Sequence, residues 1–226
     1  MFTFNPKLSS LSPSQFLSKL NKIFDIRGIF IGEEFTFGYR REGNVEFLRQ
    51  KQKDFGYTLE AVPSLKIDGK KISSSFLREL LQKGEIEKVI RAMGRPPTLL
   101  GEVVPGEKRG RELGYPTANL KPHPEKLLPQ EGVYAGTVFL EKKVYKALIN
   151  VGAKPTFGDF VPGVEVHLLG FTGKLYGETL KINLIKRIRD IKVFPSPSHL
   201  SKQLEKDKEK AEKILSNIQA TFIETD

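Results

Sequence analysis

The spacing of apolar and polar positions changes in character near residues 93–98 ("MGRPPT"). Before this point, helical and strand patterns alternate. Ser12, Pro13 and Gln15 form a capped helix start, and the apolar positions that follow predict a helix over residues 13–24. "GIFIG" and "YTLEAV" predict strands on either side of a helix, "NVEFLRQKQKDFG", that Gly56 closes. This strand–helix–strand order is typical of a parallel sheet.

Two short helices close this first part, "SFLRELLQKG" and "EIEKVIRAMG". Beyond Pro97 the pattern is β-rich, and the segments "LLGEVV", "GVYAGTVFL", "VYKALINVG", "VEVHLLGF" and "LKINLIKRIR" suit a small antiparallel barrel. A final helix carries an apolar stripe made of Leu200, Leu204, Ala211, Ile214, Leu215 and Ile218. We therefore predict two domains, residues 1–97 and 98–226.

Composition narrows the class of protein. The 226 residues, 38% of them hydrophobic, suffice for two small cores, and the absence of cysteine excludes disulfides, thiolate nucleophiles and cysteine-based metal sites. No apolar run is long enough to span a membrane and no signal peptide is recognisable, so we expect a cytoplasmic protein without a membrane partner. The sequence does not indicate an oligomeric state.

The net charge of +10 suits nucleic acid, a membrane surface or small phosphorylated ligands. Lysines alternate with glutamates in "EKDKEKAEK", a pattern that predicts a solvated helix face. The charge is therefore not arranged as a stripe that would follow a nucleic-acid backbone, and we expect no nucleic-acid partner.

The stretch "GRELGYPTANL", residues 110–120, concentrates unusual residue types between the first two predicted barrel strands, and we interpret it as a loop. Its glycines, with Gly106 before them, allow tight turns whose backbone N–H groups can hold oxyanions. The oxygens of Thr117 and Asn119 are of the type that Mg²⁺ accepts beside substrate phosphates. The alternative is a hairpin loop in which both side chains satisfy their own backbone.

"GEVVPGEKRGRELGYPTANL" resembles the signature of the riboflavin kinases, and "GVYAGTV", "INVGAKPTFG", "VEVHLLGFTGKLYG" and "IRDIKVF" follow in the family's order. The resemblance covers residues 99–194 and implies a six-stranded barrel that makes FMN from riboflavin and Mg-ATP. It implies Thr117 and Asn119 as metal ligands, Glu165 as the catalytic base and a flavin contact at Arg189. The implied contacts to ATP are Gly106, Lys108, Gly110, Arg111, Gly114, Pro116, Thr117 and Asn119.

The chemistry of phosphoryl transfer agrees with a glutamate in this position. A hydroxyl that attacks a phosphoryl group needs a side chain to orient it and to accept its proton. Strand alternation puts Glu165 and His167 on one face and the neighbouring valines on the other. Without the motif, an isolated glutamate on such a strand would simply face water. We interpret His167 as a neighbour of the site or a surface residue.

The first half resembles the adenylyltransferase module that bacteria fuse ahead of riboflavin kinase to make FAD. The matching stretches are "IFIGEEFTFGYRREGNVEFL" and "KISSSFLRELLQKGEIE", and in the intact module Ser73, Ser74, Ser75 and Arg78 would contact ATP phosphates. The module's opening segment, G-x-F-D-G-x-H-x-G-H, has no counterpart, and no histidine precedes His123. We therefore expect a partial Rossmann-like nucleotidyltransferase module that does not make FAD.

A kinase of another fold and a nucleic-acid-binding barrel are the two other classes of function. The motifs of P-loop and protein kinases, G-x-x-x-x-G-K-[ST], H-R-D and D-F-G, do not occur in the chain. A nucleic-acid-binding barrel without catalysis is the alternative, in which Lys108, Arg109 and Arg111 would contact backbone phosphates. No aromatic ladder of the kind that stacks RNA bases is visible in the sequence.

Overall fold

The computed structural model describes residues 5–106, 114–153 and 162–216. Two compact units divide the chain, residues 1–71 and 72–226. Within the described ranges, the helices are all too short or too polar to cross a bilayer.

The first unit contains the predicted strand–helix–strand segment. Its strands β1 (Gly28–Gly32) and β2 (Thr58–Val62) pair in parallel, and helix α3 (Val45–Phe55) connects them. The remaining elements are α1 (Pro6–Ser9), α2 (Pro13–Asn21), a 3-10 turn (Tyr39–Arg41) and the two-residue strands β3 (Lys66–Ile67) and β4 (Lys70–Lys71). A small core is formed by Leu17, Leu48 and Tyr57.

The helix ends of this unit follow the local signals in the sequence. The Ser12 hydroxyl accepts a hydrogen bond from the Gln15 backbone N–H, and the Gln15 side chain accepts one from the Ser12 N–H, which confirms the capping box. Gly56 ends α3 in the left-handed conformation, at φ 73°. Helix α2 ends at Asn21, three residues before the predicted end at Phe24.

Two helices open the second unit, α4 (Ser74–Gln82) and α5 (Ile86–Met93). The Ser73 hydroxyl caps α4 by accepting a hydrogen bond from the Phe76 N–H. Ile86 is fully buried in the same core as the barrel side chains, and the Gln130 N–H donates to the Leu81 carbonyl. These helices therefore pack with the barrel, although the sequence pattern changes only after them. The domain boundary at residue 97 stays a prediction.

Six strands form the predicted barrel, in the order β10-β5-β6-β9-β8-β7, and every neighbouring pair is antiparallel. The strands are β5 (Thr98–Val104), β6 (Ala118–Pro122), β7 (Gly132–Leu140), β8 (Lys143–Ala153), β9 (Pro162–Leu168) and β10 (Thr179–Arg189). The first and last strands close the barrel where Thr98 pairs with Asn183. Alternate side chains fill the interior, and the largest fully buried ones include Tyr134, Ile149, Leu180, Ile182, Leu184, Val164 and Val166.

The loop predicted over residues 110–120 is wrong at its end, because β6 begins at Ala118. Ala118 and Leu120 are buried and belong to the barrel core. The sequence did not predict this strand, because its small and polar residues, together with Pro122, have a low strand propensity. Pairing with a neighbouring strand on each edge stabilises it. Asn119 is therefore a strand residue whose direction the sheet fixes.

Helix α6 (Pro197–Ser216) lies outside the barrel, where Ala211 and Leu215 pack against Val133, Ala135 and Leu148. The predicted solvated face is wrong at one position, because Asp207 is only 2% exposed. Its carboxylate accepts hydrogen bonds of 2.9 Å from Arg189 Nε, 2.7 Å from Arg189 Nη2 and 2.8 Å from Gln203 Nε2. A bidentate ion pair therefore joins α6 to the end of β10.

Replacing Asp207 by Ala leaves the guanidinium of Arg189, whose side chain is 13% exposed, without its carboxylate. We expect the free energy of unfolding to fall by about 3–5 kcal/mol, the range found when one partner of a buried ion pair is removed. Urea titration followed by circular dichroism measures the change. Glu209→Ala, at an exposed position of the same helix, is the control and should change stability little. Equal stability of the two variants would contradict the assignment.

Candidate functional site

The outer face of the barrel carries a row of polar residues on adjacent strands. Asn119 on β6 lies directly opposite Glu165 on β9, and Glu165 lies opposite Asn150 on β8. Directly opposed residues of an antiparallel pair have Cβ atoms about 4.5–5.5 Å apart. The register therefore brings Glu165 between two carboxamide side chains. The neighbours Val164 and Val166 are fully buried in the barrel, so the predicted division of β9 into two faces is confirmed.

Asn119 is held in a close contact that depends on a glycine. A Cβ atom added to Gly106 would lie 1.7 Å from Asn119 Nδ2, and Asn119 is only 8% exposed. The absence of a side chain at Gly106 thus makes room for the Asn119 carboxamide. Among the residues predicted to contact ATP, these two are brought together directly.

A cleft of about 410 Å³ is lined by Ala118 and Val166, the inward-facing chain neighbours of Asn119 and Glu165. Its lining also includes Pro116 and Thr117, together with Phe171, Lys174 and Tyr176. Thr117 is exposed, so its hydroxyl is available to a ligand in the cleft. Sequence reasoning assigned no role to Lys174 or Tyr176, whose only signal was their position in the matching stretch "FTGKLYG".

The segment that leads into β6 contacts both β9 and α6. His167 Nδ1 lies 2.8 Å from the Pro116 carbonyl oxygen, and its ring makes an edge contact with Tyr115. The Tyr115 hydroxyl donates to the Glu205 carboxylate on α6. Burial, together with this hydrogen bond, raises the pKa of Tyr115 to about 12.

The structure places the other predicted site residues as follows. Arg189 belongs to the same row, since it pairs with Val133, which in turn pairs with Asn150, but its guanidinium is bound to Asp207. Gly114 is exposed and adopts a positive φ of 80°. The exposed side chains of Ser73, Ser74, Ser75 and Arg78 lie at the start of α4. The predicted contacts Lys108, Gly110 and Arg111 lie outside the described residues.

Comparison with known proteins assigns the chain to a family. A model of the riboflavin kinase family matches residues 93–215, more than half of the chain. The chain belongs to the riboflavin kinase family. A model of the FAD synthetase family matches residues 1–76. These matches confirm both resemblances drawn from the sequence motifs.

Relatives of this family match most of the chain. A bifunctional riboflavin kinase/FMN adenylyltransferase of Bacillus subtilis is 36% identical over 219 residues, which is 95% of this chain and 69% of the relative. The Haemophilus influenzae protein of the same name is 34% identical over 85% of this chain and 62% of its own length. The chain thus spans about two thirds of these curated relatives.

A solved structure has a similar fold over nearly the whole chain. The Streptococcus pneumoniae protein, described as a macrolide-efflux protein, is 31% identical with a TM-score of 0.86. The match covers 96% of this chain and 68% of that protein. This riboflavin kinase family member therefore has a fold similar to one known from experiment.

Gly106→Ala tests the contact on which the Asn119 orientation depends. The added methyl group has to displace the carboxamide, so we expect the turnover of riboflavin with Mg-ATP to fall about 10-fold or more, as small misplacements in a site do. Initial rates of FMN formation measure the effect. Gly32→Ala is the matched control, because a Cβ at Gly32 meets nothing within 4 Å. A Gly106→Ala variant with wild-type turnover would contradict the role of the contact.

Proposed function

We propose that the chain is a riboflavin kinase that transfers the γ-phosphoryl group of ATP to the 5′-hydroxyl of the ribityl chain and thereby forms FMN. The observation that carries the proposal is the pairing of Asn119 with Glu165 on the outer face of the barrel. The membership of the family supports the choice of substrate. Riboflavin, ATP and FMN are accordingly the small molecules that we expect the chain to bind.

Glu165 would act as the general base. Its carboxylate can accept a hydrogen bond from the ribityl hydroxyl and orient the oxygen toward the γ-phosphorus. It can then take up the proton as the new O–P bond forms and the bond from the γ-phosphorus to the departing ADP breaks. Two features favour this role over that of a surface glutamate. The side chain is half-buried, and the strand that carries it is paired on both edges. A carboxylate on a backbone fixed in this way loses less entropy when it orients a substrate.

The nucleotide would occupy the cleft beside Thr117. Phe171 and Tyr176 offer aromatic surface to a base, and the Lys174 ammonium group can approach phosphate oxygens. This arrangement suits a ligand with a flat ring at one end and negative charge at the other. The fit of the cleft to ATP is a part of the proposal that binding measurements on Lys174 variants would test.

Thr117 and Asn119 are the residues that would hold Mg²⁺ together with the phosphates. Their neutral oxygens fit a cation that keeps most of its ligands from water and phosphate, and the absence of a side chain at Gly106 leaves room for the Asn119 carboxamide. When bound, Mg²⁺ would neutralise the negative charge that accumulates on the phosphates.

We expect the 226-residue chain to make FMN from riboflavin and Mg-ATP and to make no FAD. Adenylyl transfer needs groups that orient the α-phosphorus, and Ser73–Ser75 with Arg78 form one exposed cluster at the start of α4. Chromatographic separation of the flavins after incubation measures both products. FAD above background, in a preparation free of host enzyme, would contradict the expectation. Salt-dependent RNA binding without any FMN would favour the nucleic-acid-binding alternative.

Glu165→Gln keeps the shape of the side chain and removes the proton acceptor. We expect the rate of FMN formation to fall by about 10²–10⁴-fold, the usual contribution of a general base, while riboflavin still binds. Single-turnover rates and the quenching of flavin fluorescence separate chemistry from binding. Glu102→Gln, at an exposed position of β5, is the control. A Glu165→Gln variant that retains the wild-type rate would show that Glu165 is a surface residue.

A further inference from the structure

Residues 115–117 are attached to β9 by a directional contact. The Pro116 carbonyl can only accept a hydrogen bond, so His167, 2.8 Å away, must carry its proton on Nδ1. The Tyr115 and His167 ring centroids are 5.4 Å apart at an interplanar angle of 62°, an edge contact of the favourable kind. Backbone and side chain of this segment are therefore both in contact with one histidine.

A second attachment joins the same segment to α6. The Tyr115 hydroxyl donates to Glu205, and the raised pKa keeps Tyr115 protonated as a donor throughout the physiological pH range. The same hydrogen bond lowers the pKa of Glu205, so the acceptor remains ionised. Segment 115–117 is thus held from the barrel and from the helix at once.

The location of these contacts connects them with the reaction. Thr117, which lines the cleft, directly follows the anchored Pro116. His167 stands two residues from Glu165 on the same face of β9. Strand β9 therefore carries both the proposed base, Glu165, and His167, the side chain that holds the segment containing Thr117. A rotation of segment 115–117 would move Thr117 relative to Glu165.

We propose that His167 and Tyr115 are positioning residues that hold the Thr117 segment between β9 and α6, so that the phosphate chain is aligned with the hydroxyl at Glu165. The inference rests on the proposed kinase function. Loss of alignment mainly affects the chemical step, because displacements near 1 Å between reacting groups can lower a rate about 100-fold. Riboflavin affinity should depend little on this pair.

Four variants separate positioning from general stability. His167→Leu removes the N–H donor, His167→Asn keeps an N–H donor near the position of Nδ1, and Tyr115→Phe keeps the ring but removes the hydroxyl. His199→Leu is the matched control, because the His199 Nδ1 makes only a local contact with Ser196 within the described part of the chain. For each variant, kcat and KM for both substrates, the Kd for Mg-ADP and backbone amide exchange over residues 115–119 are measured.

We expect His167→Leu to lower kcat by about 10- to 100-fold, with riboflavin KM within about twofold of the wild-type value. Amide exchange over residues 115–119 should accelerate, His167→Asn should recover most of the loss, and Tyr115→Phe should show a smaller loss of the same kind. The double variant should be little worse than His167→Leu, because both residues hold one segment. His199→Leu should behave as wild type.

The outcomes distinguish this inference from the function on which it rests. A wild-type chain that makes no FMN would overturn the proposed function, and the inference with it. If His167→Leu leaves the rate of FMN formation, the Mg-ADP affinity and the amide exchange unchanged, the inference is overturned and the proposed function stands. A loss that His167→Asn does not recover, accompanied by a fall in thermal stability, would assign His167 to the support of the fold.

Discussion

Closure of the six-stranded barrel is the constraint on which the rest of the second unit depends. Because β5 pairs with both β6 and β10, no strand can slip by one residue without turning apolar side chains toward water around the whole barrel. The interior packing therefore fixes the outward residues as well. Asn119 and Glu165 lie opposite each other on the outer face because Val164 and Val166, on either side of Glu165, are buried inside the barrel.

Local signals were sufficient to predict most of the architecture. The capping box at Ser12, the serine cap of α4 and the left-handed Gly56 act within a few residues, so the sequence alone shows them. Long β-rich segments with buried alternate positions identified five barrel strands. The alternation of side chains along β9 likewise predicted that Glu165 lies on the face opposite to the neighbouring valines. The roles of the site residues stay predictions, since no contact with a ligand tests them.

The features that the sequence did not reveal depend on contacts between distant segments. Strand β6 has a weak local pattern and gains its stability from two neighbours. Asp207 lies in a charged run whose appearance is that of a solvated face, and only the approach of Arg189, 18 positions earlier, explains its burial. The hydrogen bond from His167 to the Pro116 carbonyl likewise joins residues that lie 51 positions apart in the sequence. Pairings of this kind leave no trace in periodicity.

The closing pair of strands also determines how the barrel can form during synthesis. Thr98 on β5 bonds to Asn183 on β10, 85 residues later. At about 5–20 residues per second, a ribosome needs several seconds to supply that partner, and the edge of β5 stays unpaired in the meantime. Helix α6 emerges later still, and its anchor Arg189 is the last residue of β10. The nascent chain therefore has to keep an open sheet soluble until β10 has left the ribosome.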